Sequence, residues 1–122
     1  MGKKVLITDD APIIRLMLKD IIEFSGYEVV GEATNGFEAV DMYKNLKPDV
    51  VTMDIIMPEK DGIEALEEIL NFDPDAKVVM VTAIDQRDSL MKAIRIGATD
   101  YIVKPFENDR VISAVKKAFG EE

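Results

Sequence analysis

Five short apolar runs punctuate the chain, beginning near Lys4, Glu28, Val50, Lys77 and Asp100 and so spaced by 22 to 27 residues. Each is the length of a strand, and each is followed by a longer stretch whose apolar residues recur every three or four positions. A strand and then an amphipathic helix, five times over, predicts a (βα)5 chain. Its sheet is parallel, because parallel neighbours need a crossover long enough to hold a helix. The expected class is doubly wound α/β.

The boundaries follow from local chemistry. The first strand spans 4–9 and ends in Asp9-Asp10; Pro12 opens a helix that runs to Ser25, with Gly26 as its left-handed stop. Ile13, Ile14, Met17, Leu18, Ile21 and Ile22 form its inward stripe, with Met17 read as core. Strand 28–33 leads through Asn35-Gly36 into a helix whose inward residues are Ala39, Val40, Tyr43 and Leu46; Phe37 falls off the stripe and Pro48 ends it. Strand 50–54 delivers Asp54. Pro58 then breaks the chain, Asp61 caps a helix over 62–71, and Ile63, Leu66, Ile69 and Leu70 face inward. Strand 77–81 ends at Thr82-Ala83, and the helix from Gln86 carries Leu90, Met91 and Ile94 and stops at Gly97. Strand 101–103 ends at Lys104-Pro105-Phe106. The last helix starts at Asn108 or Asp109, with Val111, Ile112, Val115, Ala118 and Phe119 on one face.

At 122 residues the pattern fits one domain over 1–122, and 48% hydrophobic with 32% charged residues describes a folded chain rather than a disordered one. No apolar run approaches the ~20 residues of a membrane span, and the Met-Gly-Lys-Lys start lacks an apolar leader segment. With no cysteine besides, the expected location is the cytoplasm, without membrane insertion. A net charge of −9 argues against a nucleic-acid surface. Residues 1–85 carry net −10 and residues 86–122 net +1, so the last third suits an acidic or amphipathic partner. The absence of histidine excludes a phosphohistidine carrier, a histidine-dependent triad and a histidine-ligated metal.

Right-handed crossovers bring every strand's carboxyl end to one edge of a parallel sheet, where open α/β sheets bind ligands. Asp9, Asp10, Asp54, Thr82 and Lys104 all stand at such ends. Three carboxylates there repel one another, and Lys104 neutralises only part of the excess. With oxygen ligands alone, a hard divalent ion such as Mg²⁺ is the expected filler. A phosphoryl oxygen could complete the ion's shell, with Lys104 and Thr82 holding the others, and an aspartate can attack phosphorus to form an acyl phosphate. Taken singly these residues read blandly: Asp10 as a helix cap, Thr82 as structural, Lys104 as a snorkelling surface lysine, Tyr101 as a strand aromatic. Their co-occurrence points to a site.

Asp9-Asp10, Asp54 with Met57-Pro58 and Asp61-Gly62, Thr82-Ala83 and Lys104-Pro105-Phe106 together resemble the receiver domain of two-component response regulators, over essentially the whole chain. Within that family the chain resembles single-domain regulators of the chemotaxis type, CheY-like. The resemblance implies a flavodoxin-like sheet of order 2-1-3-4-5, with Asp54 as phosphoacceptor for a histidine kinase. It implies Mg²⁺ (or Mn²⁺ in its place) held by Asp10, Asp54 and the Ile56 backbone carbonyl, with Asp9 acting through water. Lys104 and Thr82 would hold the phosphoryl group, the Lys104-Pro105 bond would be cis, and Tyr101 would be the switch aromatic. The implied partners are a histidine kinase, a downstream protein (a flagellar motor switch protein if the pathway is chemotactic) and a phosphatase, with a monomer as the expected state. Exposed side chains such as Arg87, Lys92, Arg95 and Arg110 would choose the partner.

In the same family, the residues two after the phosphoacceptor and two after the threonine flank the path of the hydrolytic water. Here they are Ile56 and Ile84, which cannot hydrogen-bond a water, so slow loss of the phosphoryl group is expected. A stand-alone phosphorelay receiver, or the receiver piece of a larger regulator, fits the same residues. A phosphohydrolase of the haloacid dehalogenase type needs a second aspartate where Ile56 stands. An FMN-binding flavodoxin needs a Ser/Thr-rich loop where the chain reads Asp-Asp-Ala-Pro.

Overall fold

A computed structural model describes residues 3–121. Met1 and Gly2, part of the amino-terminal stretch read above, and Glu122 lie outside the described residues. Strands β1 (Lys4–Thr8), β2 (Glu28–Ala33), β3 (Val50–Asp54), β4 (Val78–Ala83) and β5 (Asp100–Lys104) alternate with helices α1 (Pro12–Phe24), α2 (Gly36–Leu46), α3 (Gly62–Phe72), α4 (Arg87–Ile96) and α5 (Asn108–Ala118). All the strand pairs are parallel and the order is β2-β1-β3-β4-β5. The chain runs from β1 outward to the edge at β2, crosses back to β3 and continues outward to β5, so the strand order reverses between β1 and β3. The switch point lies between Asp9-Asp10 and Asp54.

The period-2 pleat sorts the strand side chains into two cores. Leu6, Val51, Met53, Val78 and Met80 face α2, α3 and α4, whereas Val5, Ile7, Val50, Val79, Val81 and Ile102 face α1 and α5. β3 is buried over its whole length, as its unbroken apolar run requires once helices cover both faces.

Helix ends match the local signals. Pro12 occupies the first turn of α1, and Gly26 and Gly97 take positive φ just past their helices. Asp61 caps α3 by accepting from the Glu64 N–H at 2.9 Å, while Glu64 reaches back to the Asp61 N–H at 3.2 Å.

The helical stripes are narrower than the apolar pattern suggested. Ile13 and Met17 of α1, Leu46 of α2, and Met91 and Ile94 of α4 are exposed. In α1 the buried residues are Leu18, Ile21 and Ile22, with Ile14 partly buried against the same core. α4 has one buried residue, Ala93, packed with the partly buried Leu90 and Ile96. Among the described residues, no helix is long and apolar enough to cross a membrane.

Candidate functional site

Asp9, Asp10, Asp54, Thr82 and Lys104 each stand at or just beyond a strand's carboxyl end, whereas Tyr101 lies near the start of β5. Asp9, fully buried, follows β1 and is held on three sides. Its N–H donates to the Ala33 carbonyl at 3.0 Å, its Oδ1 accepts from the Ala11 N–H at 2.9 Å, and its Oδ2 accepts from Lys104 Nζ at 2.9 Å. Asp10 is exposed, and Ala11, not Asp10, is the residue at the α1 cap position. Asp54 closes β3, buried, with Oδ1 accepting from the Ile55 N–H at 2.9 Å. One carboxylate oxygen from each of Asp9, Asp10 and Asp54 lies within 4.8 Å of the others. The three carboxylates foreseen at one sheet edge are therefore together.

Lys104 reaches in from the edge strand. Its Nζ lies 2.9 Å from Asp9 Oδ2 and 3.4 Å from Asp54 Oδ1. Burial works against its charge, but the hydrogen bond to Asp9 and the charges of Asp54 and Asp9 outweigh that and hold its pKa above the ordinary lysine value. For Asp54 the balance tips the other way. Burial first, and then the negative charge of Asp9, push its pKa from 3.8 to about 6, with Lys104 and the Ile55 N–H only restraining the rise. One ammonium does not neutralise three carboxylates. An oxygen-only donor set with surplus negative charge fits a hard divalent cation.

Thr82 is buried near the end of β4, one residue beyond the pair Asp54–Val81, and its hydroxyl donates to the Ala83 carbonyl at a long 3.3 Å. Tyr101 points outward, 41% exposed, with the Arg110 guanidinium 5.6 Å from its ring centre and hydrogen-bonded to its carbonyl. The Lys104-Pro105 bond is cis. Ile56 and Ile84, 58% and 81% exposed, stand on the loops after β3 and β4. Ile56 also lines a cavity of about 330 Å³ with residues 85–89. Among the described residues no hydrogen bond engages the Ile56 carbonyl, which leaves its oxygen free.

Two contributors were not foreseen. Gly62 brings the start of α3 against β3: its N–H donates to the Ile55 carbonyl at 2.8 Å, and a Cβ there would lie 1.9 Å from the Asp54 carbonyl oxygen. The Asp-Gly turn signal was visible in the sequence, but not the contact that demands glycine. The second is Arg15, whose Nη1 donates to the Asp9 carbonyl at 2.8 Å. A lone charge within the apolar run of α1 was its only signal.

The response regulator receiver domain family matches residues 5–116. The chain belongs to this family. It is the receiver domain of a two-component response regulator, and its similarity extends to chemotaxis proteins of the CheY type. It is 58% identical to the chemotaxis protein CheY of Thermotoga maritima over 117 residues, 96% of this chain and 98% of that one. It is 54% identical to CheY of Listeria monocytogenes over 94% of this chain and 97% of the relative. Among solved structures, the CheX-CheY-BeF3-Mg²⁺ complex from Borrelia burgdorferi superposes with a TM-score of 0.90 at 36% identity, covering 95% of this chain and 88% of that one.

Proposed function

We propose that this receiver accepts a phosphoryl group on Asp54 from the phosphohistidine of a histidine kinase, and that the modification changes the α4–β5–α5 face for a protein partner in chemotaxis. The observation that supports this best is the convergence of Asp9, Asp10 and Asp54 within 4.8 Å beside the Lys104 ammonium. The names of the relatives support the chemotactic pathway, and the described contents of the Borrelia complex support a protein partner and Mg²⁺. The setting is the cytoplasm.

Asp10, Asp54 and the Ile56 carbonyl would hold Mg²⁺, with Asp9 reaching it through water. Mn²⁺ could substitute. When bound, the ion supplies positive charge for the phosphoryl oxygens as the group transfers. An Asp54 carboxylate oxygen attacks phosphorus, the bond from phosphorus to the kinase imidazole nitrogen breaks, and the imidazole takes up a proton. Lys104, now paired with Asp9 and Asp54, is within reach of the new phosphoryl oxygens. The Thr82 hydroxyl has only a long bond to give up in turning toward them. Tyr101, on the neighbouring strand, then moves inward, away from the Arg110 contact that holds it outside.

Intact mass after incubation with acetyl phosphate and Mg²⁺ tests the reading. Wild type is expected to gain one phosphoryl group, in a Mg²⁺-dependent manner, and Asp54→Asn none. An adduct that persists in Asp54→Asn would reject the assignment.

A further inference from the structure

We infer that Arg15 is a positioning residue for the carboxylate cluster: its guanidinium, braced by Glu32, fixes the peptide plane that joins buried Asp9 to exposed Asp10. The inference rests on the cation-site reading of that cluster.

Asp9 needs no further help. Its carboxylate is fastened to the Ala11 N–H and to Lys104, and its own N–H to Ala33. Asp10 is different, because its side chain is exposed and no neighbouring group fixes it among the described residues. Where its carboxylate stands therefore depends on the backbone that carries it, beginning with the Asp9–Asp10 peptide. The oxygen of that peptide accepts from Arg15 Nη1 at 2.8 Å.

The guanidinium is itself oriented. Nε donates to Glu32 Oε1 at 3.1 Å, and the Arg15 side chain is only 16% exposed. Glu32 belongs to β2, so the bond ties α1, the β1 end and β2 into one frame. Arginine's planar fork can hold a carbonyl with one nitrogen and a carboxylate with another. A lysine ammonium lacks that geometry.

A positioning role and a purely electrostatic one predict opposite signs. Arg15 puts a positive charge beside a cation site, so deleting it strengthens cation binding if charge is all that matters. If Arg15 sets the plane from which Asp10 projects, deleting it weakens binding, despite the more negative surroundings.

Titration calorimetry with Mg²⁺ on the whole chain, alongside thermal unfolding in chelator, separates these cases. Arg15→Met should raise the Mg²⁺ dissociation constant about tenfold, as loss of a group that orients metal ligands commonly does. Arg15→Lys, which keeps the charge and loses the fork, should weaken it too, and Glu32→Gln should do so by a smaller factor. Glu32→Gln added to Arg15→Met should cost nothing more, because Glu32 acts through Arg15. Unchanged or tighter binding in Arg15→Met, with wild type binding normally, overturns the inference and leaves Arg15 as a packing residue. If Arg15→Met fails to fold, unchanged affinity in Arg15→Lys overturns it equally. Failure of wild type to bind Mg²⁺ removes the cation site itself, and the inference with it.

Discussion

Asp54 carries a cost that the rest of the site exists to manage. Its pKa rises from 3.8 to about 6 on folding, so between those values the folded chain holds a proton that the unfolded chain releases. Stability therefore falls as pH rises through this window, and the whole penalty is present at neutral pH. In metal-free protein, Asp54→Asn should be more stable than wild type at neutral pH by about 2–3 kcal/mol, and the difference should vanish below about pH 4. Denaturant unfolding at the two pH values checks this, and Mg²⁺ should shrink the gap at neutral pH. Ile56 and Ile84 belong to the same scale. Both are exposed at the ends of the loops that border the site, and neither can orient a water. Ile56→Asn combined with Ile84→Glu should shorten the lifetime of the Asp54 phosphoryl group by up to about a hundredfold, the lower end of what a positioned general base supplies; an unchanged or longer lifetime by mass spectrometry would count against shielding by the two isoleucines.

At the scale of elements, the turn from β3 into α3 sets the site's floor. The Gly62 contact with the Asp54 carbonyl is backbone on backbone, so it cannot yield as a flexible side chain would. Gly62→Ala should cost about 2–4 kcal/mol and impair phosphorylation. Gly31→Ala, whose nearest neighbour is the movable Leu46 Cδ1 at 3.0 Å, should cost less in the same denaturant titration. This turn also marks what the chain makes legible. Asp54, Pro58 and Asp61-Gly62 announce a strand, a break and a cap in one short stretch, because each signal is local. The five strands and their shared edge were readable for the same reason. The extent of the buried faces of α1 and α4 was not: Leu18, Ile21, Ile22 and Leu90 were read correctly as inward, and several of their stripe-mates were not. Periodicity shows which residues share a face, but how far the sheet reaches under that face is a matter of packing, and Ile13, Met17, Met91 and Ile94 fall beyond its cover. Arg15 was illegible because Glu32, 17 residues away, and a main-chain carbonyl give it its place.

For the whole molecule, the strand order separates two kinds of residue. The carboxylates sit just beyond β1 and at the end of β3, in the middle of the sheet, with one apolar core on each face. Lys104 and Tyr101 share β5, an edge strand of five residues, one turned in to the carboxylates and the other out to Arg110. The charge distribution follows the same division, with the excess acid in residues 1–85 and near neutrality in residues 86–122. An edge strand has a neighbour on one side only, so its outward residues can be exchanged without repacking the middle of the sheet. A lineage could thus rewrite whom the protein addresses, substitution by substitution along β5 and its flanking helices, while inheriting the reactive centre unaltered.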